Sequence, residues 1–126
     1  MCNEACIKSW INDGPTLDTL NTVEAFGRGL NGKKLTTSQI RQVFTRCKSI
    51  EAKGIEENLH AFLMLKPYLA YAAKRHGEGV TALIGVLEPS IDQVLQGSPD
   101  KLQTRFKNFC SLFEAILAYH RAAGGN

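Results

Sequence analysis

Apolar residues recur along this chain every three or four positions and almost nowhere at every second one. That period is the repeat of an α-helix with one buried face, and strand signals are nearly absent. Residues 4–12 carry Ile7, Trp10 and Ile11 at helical spacing, and Asp13, Gly14 and Pro15 end that run. Thr16 then offers a capping oxygen to a helix with Leu17, Leu20, Val23 and Phe26 on one side. Gly27, Gly29 and Gly32 interrupt the pattern, so residues 27–34 are predicted to be a loop. Thr36 and Gln39 have the spacing of a capping box. Ile40, Val43, Phe44, Cys47 and Ile50 follow on one face until Gly54 offers a stop.

The pattern resumes with Leu59, Phe62 and Leu63. Pro67 lacks an amide hydrogen and clashes with the preceding turn, so a kink or a break is expected there. Leu69, Ala72, Ala73 and His76 share the next face, up to Gly77 and Gly79. Val80, Leu83, Ile84 and Leu87 begin another helix, which Pro89 interrupts and Ile91, Val94 and Leu95 continue. After Gly97, the run Ser98-Pro99-Asp100 has the composition of a helix start: a cap, a harmless proline and an acid at the positive helix end. Leu102, Phe106, Phe109, Phe113, Ile116, Leu117 and His120 then form one long stripe. The expected architecture is all-α: a single domain over residues 1–126, a bundle of about five helices, with kinks or breaks near residues 67 and 89. Residues 1–15 and 122–126 are expected to be partly flexible.

Composition fits that picture. With 126 residues, 44% of them hydrophobic and 21% charged, the chain can bury a core of its own without disulfides or a metal. Of four cysteines, Cys47 and Cys110 fall on apolar helical faces, where a reduced buried thiol is expected. Asn3, Glu4 and Lys8 interrupt any signal-peptide pattern, and no apolar run is long enough to span a bilayer. A cytoplasmic protein without membrane partners is the simplest expectation.

Catalytic patterns are weak. Gly27 to Lys34 approaches a P-loop, but Lys34 stands where the magnesium-binding Ser or Thr belongs, and no strand precedes it. Its cations, Arg28, Lys33 and Lys34, read as solvated charges or phosphate contacts. Cys2 and Cys6 would share a helical face, but His60, His76 and His120 are scattered, so no metal constellation forms. His76 and His120 fall on apolar stripes and lack a local nucleophile motif. No enzyme activity and no cofactor are expected.

The cations carry more. Formal net charge is +3, which permits an anionic partner without requiring one. On the helix from Gln39 to Lys53, Arg41 and Lys48 lie on one flank and Arg46 and Lys53 on the other, opposed only by Glu51. Tyr71, Lys74 and Arg75 project away from Leu69 and Ala73, and Lys66 precedes the expected kink. Lys107, Glu114 and Arg121 form a row seven apart on the last helix. A solvated face is one reading of these charges; neutralising the phosphates of a nucleic-acid backbone is the other.

Three stretches, "LTTSQIR" (Leu35 to Arg41), "LKPYLAYAAKR" (Leu65 to Arg75) and "FEAILAYHR" (Phe113 to Arg121), together resemble the small subunit of type III-A CRISPR effector complexes, the second subunit of the Csm complex. The resemblance implies an all-α, non-catalytic protein, present in several copies beside other Csm subunits. It would contact guide RNA and target RNA through their backbones. Carried over by position, Arg41, Lys66, Lys74, Arg75 and Arg121 are the implied RNA contacts, joined by Lys48 through its place beside Arg41. Tyr68 departs from the family pattern, which has a basic residue there. The competing reading is a helical protein-interaction adaptor using its alanine-rich faces and Tyr68 or Tyr71.

Overall fold

The computed structural model describes residues 3–33 and 37–124; the side chains of residues 37, 39, 40, 75 and 76 fall outside that description. The described residues contain no strand. The α-helices are α1 (Glu4–Asp13), α2 (Leu17–Gly29), α3 (Thr37–Lys53), α4 (Leu59–Leu63), α5 (Leu65–His76), α6 (Glu78–Leu95) and α7 (Leu102–Ala122). Short 3-10 turns at Leu30–Lys33 and Pro99–Lys101 follow α2 and precede α7. Only Met64 separates α4 from α5, so the two behave as one bent unit. Six helical bodies result among the described residues, where the spacing suggests about five.

α7 is the axis. It packs against α1, α2, α3 and α6, as a stripe of Phe106, Phe109, Phe113, Ile116 and Leu117 requires. Phe62 meets Phe106 and Phe109 edge-on at 5.3 and 5.5 Å, and Phe44 meets Phe113 at 5.2 Å. Such edge-to-face pairs add about 0.5–1.5 kcal/mol each beyond the area they bury. α1 is held by Trp10, fully buried, whose indole N–H donates to Ser111 Oγ at 3.0 Å. Asn108 Nδ2 donates to the Ile11 carbonyl at 2.9 Å. The buried apolar residues of all the long helices form one continuous cluster.

The local signals were of unequal value. Thr16 does cap α2: its Oγ1 accepts from the Thr19 N–H at 3.2 Å, and Thr19 Oγ1 accepts from the Thr16 N–H at 2.9 Å. Gly54, at φ +95°, ends α3 as expected. The side chain of Ser98, by contrast, makes no capping hydrogen bond, and the chain turns through a 3-10 segment before α7. The capping box at Thr36 and Gln39 lies outside the described residues.

Residues 27–33 are not a loop. α2 runs through Gly27 to Gly29 and tightens into the 3-10 turn. Gly27 is buried in the α2–α7 contact, where a Cβ would collide with α7. The glycine permits close packing, a demand invisible to a pattern that counts glycine as a breaker.

Leu17, Leu59 and Leu63 are also corrections. They were placed on buried faces, and they are 75%, 37% and 43% exposed. Leu17 opens α2 ahead of its packed section, and α4 is a single turn that buries only Phe62. At Pro67 the helix breaks one turn early, at Met64. Pro67 then sits in the first turn of α5, where amide hydrogens have no partner within the helix. Pro89 breaks nothing: α6 is continuous through it.

Candidate nucleic-acid interface

α3 turns Val43, Cys47 and Ile50 into the core, which leaves two basic flanks in solvent. Their chemistry differs. On one, Lys48 Nζ donates to Glu51 Oε1, and that hydrogen bond raises the lysine pKa above its ordinary value, helped by the charges of Glu51 and Glu114. Lys48 Nζ also lies 5.8 Å from the Phe44 ring centroid. Arg41, a turn or two earlier, is exposed and makes no ion pair among the described residues.

On the other flank, the Arg46 guanidinium lies over the Tyr68 ring, 3.9 Å from its centroid. Neither Arg46 nor Lys53 pairs with a carboxylate among the described residues. Tyr68, where a cation was expected, therefore carries a cation lent by the neighbouring helix. Sequence spacing put Arg46 on a surface flank but could not place it against Tyr68.

On α5, Lys66 Nζ donates to Asp92 Oδ1 of α6 at 2.6 Å, which raises its pKa, with the charges of Asp92 and Glu88 adding to the effect. Lys74 is exposed and makes no ion pair among the described residues. The side chain of Arg75 lies outside the described residues. On α7, Lys107, Glu114 and Arg121 stand exposed in the predicted row. Of the six sequence candidates, Arg41, Lys74 and Arg121 are open to a ligand, on three different helices. Lys48 and Lys66 are held in exposed ion pairs.

The remaining candidates are mostly accounted for by packing. Arg28 pairs with Glu24 at 2.9 Å, and Lys33 with Glu78 at 3.6 Å; Lys34 lies outside the described residues. Cys6 is buried on α1, while Cys2 also lies outside. Cys47 and Cys110 are buried free thiols. Desolvation pushes the Cys47 pKa far up and that of Cys110 up to about 12. His120 is buried and His60 exposed; the side chain of His76 falls outside. Among the described residues no group of three or more His, Cys, Asp or Glu is placed to hold a metal, and no helix is long and apolar enough to cross a membrane.

One arginine escaped the sequence reading altogether. Arg105 is 4% exposed, and its Nε and Nη1 donate to the carbonyls of Val94 and Ser98 at 2.8 and 2.9 Å. At the end of α6 the Gln96 N–H donates to the Asp92 and Gln93 carbonyls, and Arg105 caps that of Val94. Its only signal was a charge inside the long apolar stripe of α7.

A family model described as Csm2 Type III-A matches residues 15–126. No curated protein and no solved structure gives a match.

Proposed function

The chain belongs to the Csm2 family, the small subunit of type III-A CRISPR effector complexes, and from that membership we propose that it binds guide RNA and target RNA by their backbones. It does so without reading sequence and without catalysing a reaction, while packing against other Csm subunits and further copies of itself. The observation that carries this reading is the set of exposed cations with no carboxylate partner among the described residues: Arg41 on α3, Lys74 on α5 and Arg121 on α7. Each phosphate they neutralise releases condensed counterions, so affinity arises from charge placement. Lys48 and Lys66 join by exchanging a carboxylate for a phosphate. That exchange is inexpensive because exposed ion pairs contribute only about 0–1 kcal/mol. Arg75 completes the set. With a net charge of +3, the isolated protein binds weakly, and the assembled complex supplies the rest through many copies.

Filter binding with unrelated single-stranded and duplex RNAs tests this. Affinity is expected to fall steeply with salt and to vary little with sequence. Changing Arg41, Lys74 and Arg121 together to alanine is expected to lower it while the helical circular dichroism stays the same. A strong preference for one RNA sequence would overturn the reading.

A protein-interaction role without RNA is favoured by one observation, the exposure of Leu63, Met64 and Tyr71 at 43%, 52% and 62%. Partner binding that persists after RNase treatment and at high salt, with no RNA retained, selects that alternative.

A further inference from the structure

The α3 flank that the sequence reading set aside is the one the fold equips best. We propose that the groove between α3 and the α4–α5 unit is a subsite for one nucleotide of single-stranded RNA. Arg46 holds its phosphate, and its base lies against Ile50, Met64 and Leu65. This rests on the RNA-binding reading above and adds a site to it.

The groove has a volume of about 190 Å³ and is lined by Arg46, Ser49, Ile50, Ala61, Met64 and Leu65. Its walls are mostly apolar, with one hydroxyl and one guanidinium. Met64, at the α4–α5 break, is 52% exposed beside it, and a methionine side chain adapts its shape to an aromatic ring. At one end Arg46 lies 3.9 Å above the Tyr68 ring centroid. That ring is half-buried and packed against the core, so it is a fixed platform. Stacking occupies one face of the guanidinium and leaves its N–H edge free for two parallel hydrogen bonds to a phosphate. An arginine already held in place loses less side-chain entropy when the phosphate arrives.

Charge selects the occupant. Arg46 has no carboxylate partner among the described residues, and neither has Lys53, seven residues on and about 10 Å further along the helix. On the opposite flank Lys48 is held by Glu51, which leaves Arg41 as the cation there without an ion pair among the described residues. A cation row beside an apolar slot suits a ligand that alternates phosphate with aromatic base. Only a single strand can turn a base face into such a slot; duplex RNA keeps its bases stacked and presents phosphates, 2′-hydroxyls and base edges.

Binding of an oligouridine, an abasic oligomer of the same length and a duplex of equal charge, each over a range of salt, provides the test. Arg46→Ala is expected to weaken oligouridine binding about tenfold and to make its salt slope shallower by about one unit. Arg46→Lys, which keeps the charge and loses the fork, falls between. Tyr68→Phe keeps the platform and binds as wild type, whereas Tyr68→Ala weakens binding. Met64→Ala weakens oligouridine binding and leaves the abasic oligomer unaffected.

Thermal unfolding confirms that each variant is folded, and all the changes are on the surface or half-buried. The subsite is overturned if Arg46→Ala binds like wild type while the Arg41, Lys74 and Arg121 triple variant is weakened; RNA binding then survives without it. It is overturned equally if Arg46→Ala weakens duplex and single strand alike. If neither variant changes retention of any RNA, the RNA-binding reading falls and takes the subsite with it.

Discussion

Gly27 faces Tyr119 so closely that a Cβ on the glycine would stand 2.9 Å from the tyrosine Cβ and 3.0 Å from the Ile116 carbonyl oxygen. Neither of those atoms can rotate aside, because both are fixed to the backbone of α7. Alanine gains about 1 kcal/mol over glycine inside a helix, but forcing two packed helices apart costs about 1–3 kcal/mol. Gly27→Ala is therefore expected to destabilise the protein by up to about 2 kcal/mol, read as a lower urea midpoint. Gly29→Ala, whose Cβ would meet nothing within 4 Å, is expected to be neutral or slightly stabilising. A higher midpoint for Gly27→Ala would contradict the close approach of α2 to α7.

Arg105 supports the α6–α7 connection through two carbonyls. Arg105→Ala leaves the Val94 carbonyl without its donor in a buried place and takes one of two donors from the Ser98 carbonyl, which keeps the Lys101 N–H, and a loss of about 1–3 kcal/mol is expected. Lysine offers a point charge that cannot reach both acceptors, so Arg105→Lys is expected to recover only part. Hydrogen exchange should speed up around residues 97–102 in both variants. An Arg105→Ala protein as stable as the parent would show that water replaces the guanidinium.

The Lys66–Asp92 pair joins α5 to α6, with side chains 39% and 47% exposed. At that exposure, solvent screening limits its contribution to about 0–1 kcal/mol. Asp92→Ala should barely move the melting temperature. It releases Lys66, however, and RNA affinity at low salt is expected to rise about twofold to threefold. Asp18→Asn, which removes the same charge from the first turn of α2, serves as the control and should do less. Equal affinities for both variants would remove Lys66 from the RNA contacts.

Cys47 and Cys110 have thiols whose ionisation burial opposes, with the Cys110 pKa moved from 9.0 up to about 12 and that of Cys47 higher still. A folded-state value above the unfolded one means that the unfolded chain loses its protons first as pH rises. The stabilisation is complete below about pH 9 and is lost progressively toward pH 12. Denaturant midpoints are expected to fall over that window, and to fall less in Cys47→Ala at equal starting stability. At pH 8, Ellman's reagent should leave both thiols unmodified until the protein is unfolded. Rapid modification of Cys47 in the native state would refute its burial.

Spacing located the helices because a 3.6-residue repeat of apolar side chains needs no knowledge of the partner helix. The three stretches carrying the family resemblance likewise lie within the matched residues 15–126. Local chemistry was legible only where it closes on itself, as at Thr16 and Thr19. Ser98, with equally good local credentials, makes no side-chain cap, and its carbonyl accepts from Arg105, seven residues on. Gly27 was misread for the same reason: whether a glycine breaks a helix or lets another approach depends on what lies opposite. Periodicity assigned Arg46 to a surface flank correctly, whereas Tyr68, offered as an exposed contact, is half-buried against the core. That one rests on the other is a fact about two helices meeting, which neither segment contains.

Every long helix but α5 borrows its hydrophobic cover from α7, and α7 is translated after all of them. On the ribosome, α1 and α5 can already meet α6, but the faces of α1, α2, α3 and α6 that α7 covers emerge bare. Their consolidation waits for the last twenty or so residues, and a chain cut short before Leu102 is prey for proteases and chaperones rather than a smaller working subunit.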